Sequence, residues 1–438
     1  MTSGSLLQRL ALDRPDRRAW ALYDWANSAF VTTVIAAVFP VYFSTVLAAG
    51  LPPPEATERF ALATTIALAL IALLAPMLGA LADYAAAKKR LLAVCVSVGA
   101  LATAGLALTK RGEWASALLL FGIANIGASA SFVFYDSLLP HVAGSGDEMD
   151  RLSTSGYAAG YLGGGLLLAL NLVWITWPAW FGLADAAAAA RLSFASVAVW
   201  WLVFSVPLFR SVPEPPKPAS SGLPSVWGTR RQLARTLGEL RRYRHAFVFL
   251  LGFLLYSDGI GTIIRMAAIY GSEIGLPGNA MIGAILMVQF IGVPFALLFA
   301  SLARRVGVKN AIFLGLGVYL AVTLVAYVMT TSWQFYLLAV LIAAVQGGSQ
   351  ALSRSLFARL IPRFRSAEFF AFFSICEKFA GIAGPAIFAA LTALVGSSRT
   401  AILGLMAFFL FGGLLVATVD VAEGERMARA AEAETMAS

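Results

Sequence analysis

Five ionisable residues stand out inside apolar segments that are long enough to cross a lipid bilayer. They are Asp24 in the first segment, Asp258 and Arg265 in the seventh, and Glu377 and Lys378 in the eleventh. A charged side chain in hydrocarbon is costly, so such residues usually face the interior of a helix bundle or a water-filled path. These five charges therefore predict a functional path through a membrane protein.

The composition of the 438-residue chain supports a membrane location. Hydrophobic residues make up 60% of it and charged residues only 13%, whereas soluble domains carry roughly 25% charged residues. A span needs about 20 mostly apolar residues, and only a helix satisfies its own backbone in lipid. We therefore predict an all-α multi-pass membrane protein with twelve transmembrane helices. The predicted spans are 20–48, 59–82, 91–109, 114–139, 151–177, 190–209, 246–271, 278–302, 310–330, 333–353, 368–394 and 399–419.

The net charge of +9 has a one-sided distribution. If both termini are cytoplasmic, roughly 25 of the Lys and Arg residues fall on that side and about 5 on the other, as the positive-inside rule requires. We therefore expect a cell inner-membrane protein with both termini in the cytoplasm. The basic loops are interpreted as topology signals, and no nucleic acid is expected as a partner. The acidic residues Asp147, Glu148 and Asp150 in the loop at 140–151 are not explained by this rule.

The chain divides into two similar halves. We predict an N-terminal six-helix bundle at 1–209, a basic and proline-rich cytoplasmic linker at 210–245, a C-terminal six-helix bundle at 246–420 and a cytoplasmic tail at 421–438. The sequence from Gly79 to Asp83 is echoed by the sequence from Ala300 to Arg304, at an offset of about 221 residues. Such pseudo-symmetric halves are typical of secondary transporters, whose substrate site lies near the membrane midplane between the repeats.

Two spans carry a polar face. Asp24 and Asn27 share one face of the first span, while Gln346, Gln350 and Arg354 recur at every fourth residue of the tenth. Residues three and four apart lie on one side of a helix, so each set forms a stripe. We predict that these residues bind substrate or couple its transport, with Arg354 assigned to gating. The alternative for Asp24 is an interfacial charge near the end of its span.

The remaining charges lie deeper in the membrane. Asp258 and Lys378 fall near the midplane, and Arg265 lies two turns beyond Asp258 on the same helix. Glu377 is adjacent to Lys378 and points about 100° away from it. One arrangement places Lys378 opposite Asp258 or Asp24. The alternative is a buried salt bridge that only fixes helix register.

The loop after the second span carries a recognisable pattern. Gly79, Leu81 and Asp83, followed by Lys88, Lys89 and Leu91, resemble the signature between helices 2 and 3 of the major facilitator superfamily. The sequence departs from that signature at Tyr84, Ala86 and Ala87, where the family favours Arg, Gly and Arg. The resemblance implies a conformational latch, and we predict a gating role for Gly79, Asp83, Lys88 and Arg304.

A more specific resemblance begins in the first span with Trp20-Ala-Leu-Tyr-Asp-Trp-Ala-Asn-Ser-Ala-Phe30. Together with Tyr256–Gly259, Gln346–Ser355 and Lys378-Phe379, this run resembles the autophagy-related vacuolar amino-acid effluxers and their bacterial relatives. That group is a branch of the major facilitator superfamily. The resemblance implies twelve helices and alternating access, and it implies amino-acid export less specifically.

The function predicted from these features is secondary active export of a small polar solute, with amino acids as the first expectation. A proton or another ion is the expected coupling partner, through Asp258 or Glu377. A drug or lipid exporter and a non-transporting sensor or scaffold remain as alternatives. The sequence has no nucleotide-binding loop, metal-ligand cluster or nucleophile–histidine arrangement. We therefore expect no enzyme activity, no cofactor, no metal and no nucleotide, and the lipid bilayer as the surrounding partner.

Overall fold

The protein is almost entirely helical in a computed structural model that describes residues 5–217, 238–273, 278–379 and 383–437. Short helical turns at Leu6–Arg9, Pro178–Phe181 and Arg363–Arg365 join the longer elements. The longer helices are α1 (Pro15–Leu47), α2 (Pro53–Tyr84), α3 (Lys88–Leu106), α4 (Trp114–Val142), α5 (Gly146–Thr176), α6 (Ala186–Ser211), α7 (Arg244–Glu273), α8 (Gly278–Val306), α9 (Val308–Val328), α10 (Ser332–Leu360), α11 (Ser366–Phe379), α12 (Ala383–Val395), α13 (Arg399–Ala417) and α14 (Val421–Ala437).

Within the described ranges, eleven helices are long and apolar enough to cross a membrane. Within the predicted span 368–394 the structure describes α11 and α12, which lie on either side of residues 380–382. Those three residues are outside the described part of the chain.

Helix α1 runs through the centre of the first half, which comprises α1 to α6. It starts at Pro15 and widens into π-type turns at Phe30–Val38. Its aromatic residues pack onto α4: Trp20 stacks on Tyr135 with ring centroids 4.4 Å apart. Wide turns of this kind are frequent at functional sites, so α1 is both a core element and a candidate site element.

Helix α5 approaches α1 through glycines. A Cβ atom on Gly156 would lie 2.4 Å from Oδ2 of Asp24, and one on Gly160 would lie 2.5 Å from Oγ of Ser28. Such distances are far below ordinary contact, and a Cβ on Gly163 would also lie 2.7 Å from the Trp25 backbone carbonyl oxygen, which cannot rotate away. Small residues at four-residue spacing allow close packing in membranes, and here they bring α5 against the polar face of α1.

The two halves repeat one backbone feature at the predicted offset. Ala86 follows α2 with φ 48°, and Gly307 follows α8 with φ 87°. Their separation is 307 − 86 = 221 residues. Both residues have a positive φ, which glycine adopts freely and alanine does not, and Gly307 combines it with ψ 148°. The two halves therefore share a residue of positive φ after their second helix.

One end of the bundle holds both ends of the chain, and we call it the terminal face. Arg17 at the start of α1 pairs with Glu148 at 2.8 Å. Glu425 of α14 pairs with Arg359 at 2.6 Å, and Arg359 also pairs with Asp150 at 3.0 Å. The acidic stretch that the charge rule left unexplained thus supplies partners for arginines at this face.

Candidate functional site

A buried cluster of three charges joins the two halves near the terminal face. Arg354 of α10 lies 3.1 Å from Oδ2 of Asp24 and 3.1 Å from Oδ1 of Asp136. These residues are 2%, 5% and 4% exposed, respectively. The cluster links α10 to α1 and α4, and removing one partner from such a buried cluster would be strongly unfavourable.

Helix α5 and a tyrosine complete the cluster. Ser153 accepts from Arg354 through its hydroxyl at 2.9 Å and its backbone carbonyl at 3.0 Å. The hydroxyl of Tyr135 donates to Asp24 at 2.9 Å. The guanidinium carbon also lies 4.8 Å from the ring centroid of Trp20 and 4.6 Å from that of Tyr157. Arg354 thus sits in a pocket of carboxylates and aromatic rings.

The other residues of the two predicted stripes lie in different environments. Asn27 is fully buried and donates to Tyr23 at 3.2 Å and to Ser131 of α4 at 3.0 Å. It therefore links α1 to α4 within the first half. Gln346 and Gln350 are only partly buried, and they precede Arg354 on the same face of α10.

Glu377 and Lys378 face the first half from α11. The Lys378 ammonium lies 4.0 Å from Glu377 and 5.3 Å from the ring centroid of Phe132 on α4. Glu377 also interacts electrostatically with Asp136 and Tyr157. The side chain of Glu377 is 32% exposed and that of Lys378 is 24% exposed. We call this partly exposed region between the halves, beside the cluster, the polar space.

The arrangement that would place Lys378 opposite Asp24 is wrong, since Arg354 occupies that position. Asp258 is buried on α7, where a Cβ on Gly384 of α12 would lie 2.9 Å from its Oδ1. The Arg265 side chain lies outside the described residues.

The loop after α2 forms a second contact between the halves. Asp83 accepts from the backbone N–H groups of Ala367 at 3.2 Å and Glu368 at 2.8 Å, in the first turn of α11. It pairs with Lys88 at 2.9 Å. A helix N-terminus attracts negative charge. Gly79, one turn earlier, lets α2 approach, because a Cβ there would lie 2.4 Å from the Ala367 carbonyl oxygen.

Lys88 extends this contact to a third helix. Its ammonium donates to Ser366 at 2.7 Å and lies 3.0 Å from Nε2 of His141 at the end of α4. Arg304, the predicted counterpart in the second half, is exposed. No carboxylate in the described ranges lies within ion-pair distance of it. The contact of Asp83 across the halves is thus with α11, not with Arg304.

Sequence reasoning missed Asp136, Tyr135, Tyr157 and Ser153. Asp136 could have been found, because it is a carboxylate inside the predicted span 114–139 and meets the criterion that selected Asp24. The tyrosines and the serine carry no such signal. Their roles appear only when α4 and α5 are placed around Arg354.

Comparisons with known proteins agree with this architecture. Residues 55–429 match the model of the family described as vacuole effluxer Atg22 like. The chain belongs to that family. It is 35% identical over 410 residues to the uncharacterized MFS-type transporter YxiO of Bacillus subtilis, covering 92% of this chain and 94% of that protein. It is 28% identical to autophagy-related protein 22-1 of Aspergillus niger, over 63% of this chain and 48% of that protein.

Solved structures show the same fold. The E. coli fucose:proton symporter superposes with a TM-score of 0.68 at 14% identity, covering 92% of this chain and 98% of that one. The human organic anion transporter MFSD10 gives 0.68 at 15% identity, covering 94% and 100%. The protein is a multi-pass membrane transporter with the twelve-helix major facilitator fold. As in other such transporters, small molecules are its substrate class and the lipid bilayer its surroundings.

Proposed function

We propose that this protein is a secondary active transporter that exports small polar solutes, amino acids first among them, in exchange for protons. The observation that carries the proposal is the buried cluster of Arg354, Asp24 and Asp136 between the halves. A transporter of this fold works by exposing one central site to each side in turn. An ion cluster between the halves is suited to form in one state and part in the other.

The proposed cycle moves the first half, 1–209, against the second, 246–420, with 210–245 as the connecting segment. In the present state the terminal face is closed by the charge cluster and by the contact of Asp83 with α11. We assign the terminal face to the cytoplasm of a cell inner membrane, in accord with the excess of basic residues there. The present conformation is then the outward-facing or occluded stage of export.

The charges around the polar space suit a zwitterionic solute. The region holds three carboxylates and two cations, namely Asp24, Asp136, Glu377, Arg354 and Lys378. Lys378 can bind the carboxylate of a substrate, and one of the protein carboxylates can bind its ammonium group. The excess negative charge also supports proton exchange, because a buried carboxylate without a cation is more stable when protonated. Glu377 and Asp136 are our first candidates for this role, with Asp258 as a further one.

The test is release of solutes from proteoliposomes loaded with a mixed amino-acid pool, analysed by mass spectrometry with and without a pH gradient. We expect protein-dependent release of particular amino acids, and faster release when the gradient is imposed. Glu377→Gln and Asp136→Asn should each lose the acceleration. Asp147→Asn, which changes an exposed carboxylate of the terminal face, is the matched control and should keep it.

The outcomes separate the alternatives. No amino-acid release with or without the gradient would contradict the proposal and favour an exporter of apolar compounds or a sensor. If the unmodified protein releases amino acids at the same rate with and without the pH gradient, proton exchange would be contradicted but amino-acid export would not. Unchanged acceleration in both carboxylate variants would leave Asp258→Asn as the variant to measure for the coupling group.

A further inference from the structure

We propose that the pocket around Arg354 is also the binding site for the cationic group of a substrate, which would be an amino acid or amine that carries a guanidinium or ammonium group. This inference rests on the proposed transport function and names its substrate class. Arg354 then acts as an internal stand-in for the substrate while the terminal face is closed.

Among the described residues, every hydrogen-bond partner of the Arg354 guanidinium belongs to the first half. Nη1 donates to Asp136, Nη2 donates to Asp24 and to the Ser153 carbonyl, and Nε donates to the Ser153 hydroxyl. These acceptors come from three different helices, α4, α1 and α5. From the second half, Glu377 interacts electrostatically with Asp136. The hydrogen-bond acceptors for the cation are therefore supplied by the first half.

The aromatic part of the pocket also belongs to the first half. The rings of Trp20, Tyr135 and Tyr157 have centroids 4.8, 5.5 and 4.6 Å from the guanidinium carbon. Aromatic faces attract organic cations, most strongly where water is excluded. Two carboxylates with three rings form a site that is selective for a planar or alkylated cation over a bare metal ion.

Opening the terminal face must remove Arg354 from this pocket. Asp24 and Asp136 would then lack a cation, since no other Lys or Arg in the described ranges lies within ion-pair distance of them. Removing one partner of a buried ion cluster is strongly unfavourable. A substrate cation that enters from the open face restores the positive charge beside Asp24 and Asp136 that was lost when Arg354 left the pocket.

The same competition links the occupant of the pocket to the state of the terminal face. Arg354 and the substrate cation cannot occupy the pocket together, because both need Asp24 and Asp136. Return of Arg354 as the terminal face closes therefore displaces the substrate cation toward the polar space beside Glu377 and Lys378. Each step is reversible, and the gradients of solute and protons set the net direction of transport.

The first test fills the pocket in a variant that has lost the arginine. In Arg354→Ala, millimolar methylguanidinium should raise the melting temperature of the purified protein by a few degrees, because a ligand that binds the folded state stabilises it. Methylurea, which has nearly the same shape but no charge, should not. The effect should vanish in the double variant Arg354→Ala with Asp136→Asn.

Arg359→Ala is the matched control. Arg359 lies on the same helix and also pairs across the halves, with Asp150, but the structure shows no ring over its guanidinium among the described residues. Methylguanidinium should not stabilise this variant. Equal stabilisation of the two single variants, or none of Arg354→Ala, would overturn the assignment of the pocket.

The second test uses the unmodified arginine and so does not depend on a variant that folds poorly. L-Arginine should compete with amino-acid release from proteoliposomes, and L-citrulline, its neutral counterpart, should compete far less. Asp136→Asn should weaken the competition by L-arginine about tenfold or more. Release of neutral amino acids without competition by L-arginine would overturn the substrate class and leave the proposed transport function intact. Absence of any release would instead contradict the transport function.

Discussion

Arg354 is the residue on which the two halves converge. It reaches Asp24 across 330 positions of sequence and Asp136 across 218. A guanidinium can satisfy several acceptors in one plane, which an ammonium cannot do as well. Replacement of Arg354 by lysine is therefore not conservative here. The local spacing in the sequence indicated that Asp24 and Arg354 lie on polar helix faces, but only the packing of α1 against α10 makes them partners.

Asp83 gives a second test at the level of single residues. Asp83→Asn removes the charge that Lys88 pairs with and weakens the contact with the α11 N-terminus. Leaving Lys88 buried without its carboxylate should cost about 3–5 kcal/mol of stability. The measurement is the thermal unfolding of the purified variant compared with that of the unmodified protein.

Asp147→Asn is the control for this loss. Asp147 pairs with Arg151 on the same helix and is 46% exposed, and exposed pairs contribute only about 0–1 kcal/mol. Similar melting temperatures for the two variants would show that Asp83 does not hold the terminal face closed. The contact of Asp83 with a helix N-terminus was predictable from its motif. The contacts of Lys88 with His141 and Ser366 were not, because both residues lie on distant segments of the chain.

At the scale of helices, α2 and α11 pack closely against each other across the halves at the terminal face. Gly79→Ala would place a Cβ atom 2.4 Å from the Ala367 carbonyl oxygen. A backbone atom cannot rotate away, so the two helices must separate. We expect faster labelling of cysteines placed beside this contact, and a lower melting temperature.

Gly122→Ala provides the matched substitution, because a Cβ at this position of α4 would meet no atom within 4 Å. It should be neutral or stabilising by up to about 1 kcal/mol, as alanine favours a helix over glycine. A loss of stability as large as that of Gly79→Ala would contradict the close-packing argument.

Hydropathy predicts most of these helices because each span is a local apolar run. One feature is not predicted by hydropathy. Helix α1 widens into π-type turns at Phe30–Val38, although its residues would also fit a regular helix.

At the scale of the whole molecule, the contacts across the halves close one face. The Arg354 cluster, the Asp83 contact and the pair of Arg359 with Asp150 all lie toward the terminal face. The division into two related halves was predictable from the repeat at 79–83 and 300–304. The sequence could not predict which face is closed, because one sequence must encode both states of an alternating-access cycle.

Alternating access requires that these contacts part during transport, and a reversible cross-link between the halves can show whether they do. Asp150 of α5 and Ser355 of α10 meet across the halves, where the Ser355 hydroxyl donates to Asp150 at 2.5 Å. After replacement of Cys95 and Cys376, both positions are changed to cysteine and joined by oxidation or a short thiol cross-linker. Amino-acid exchange is then measured in proteoliposomes before joining, after joining and after release.

We predict that joining Asp150→Cys to Ser355→Cys stops exchange and that releasing the link restores it, while each single cysteine variant is unaffected by the same treatment. Continued exchange at full rate by molecules shown to be cross-linked would mean that the terminal face does not need to open during transport, and the proposed cycle would then be wrong.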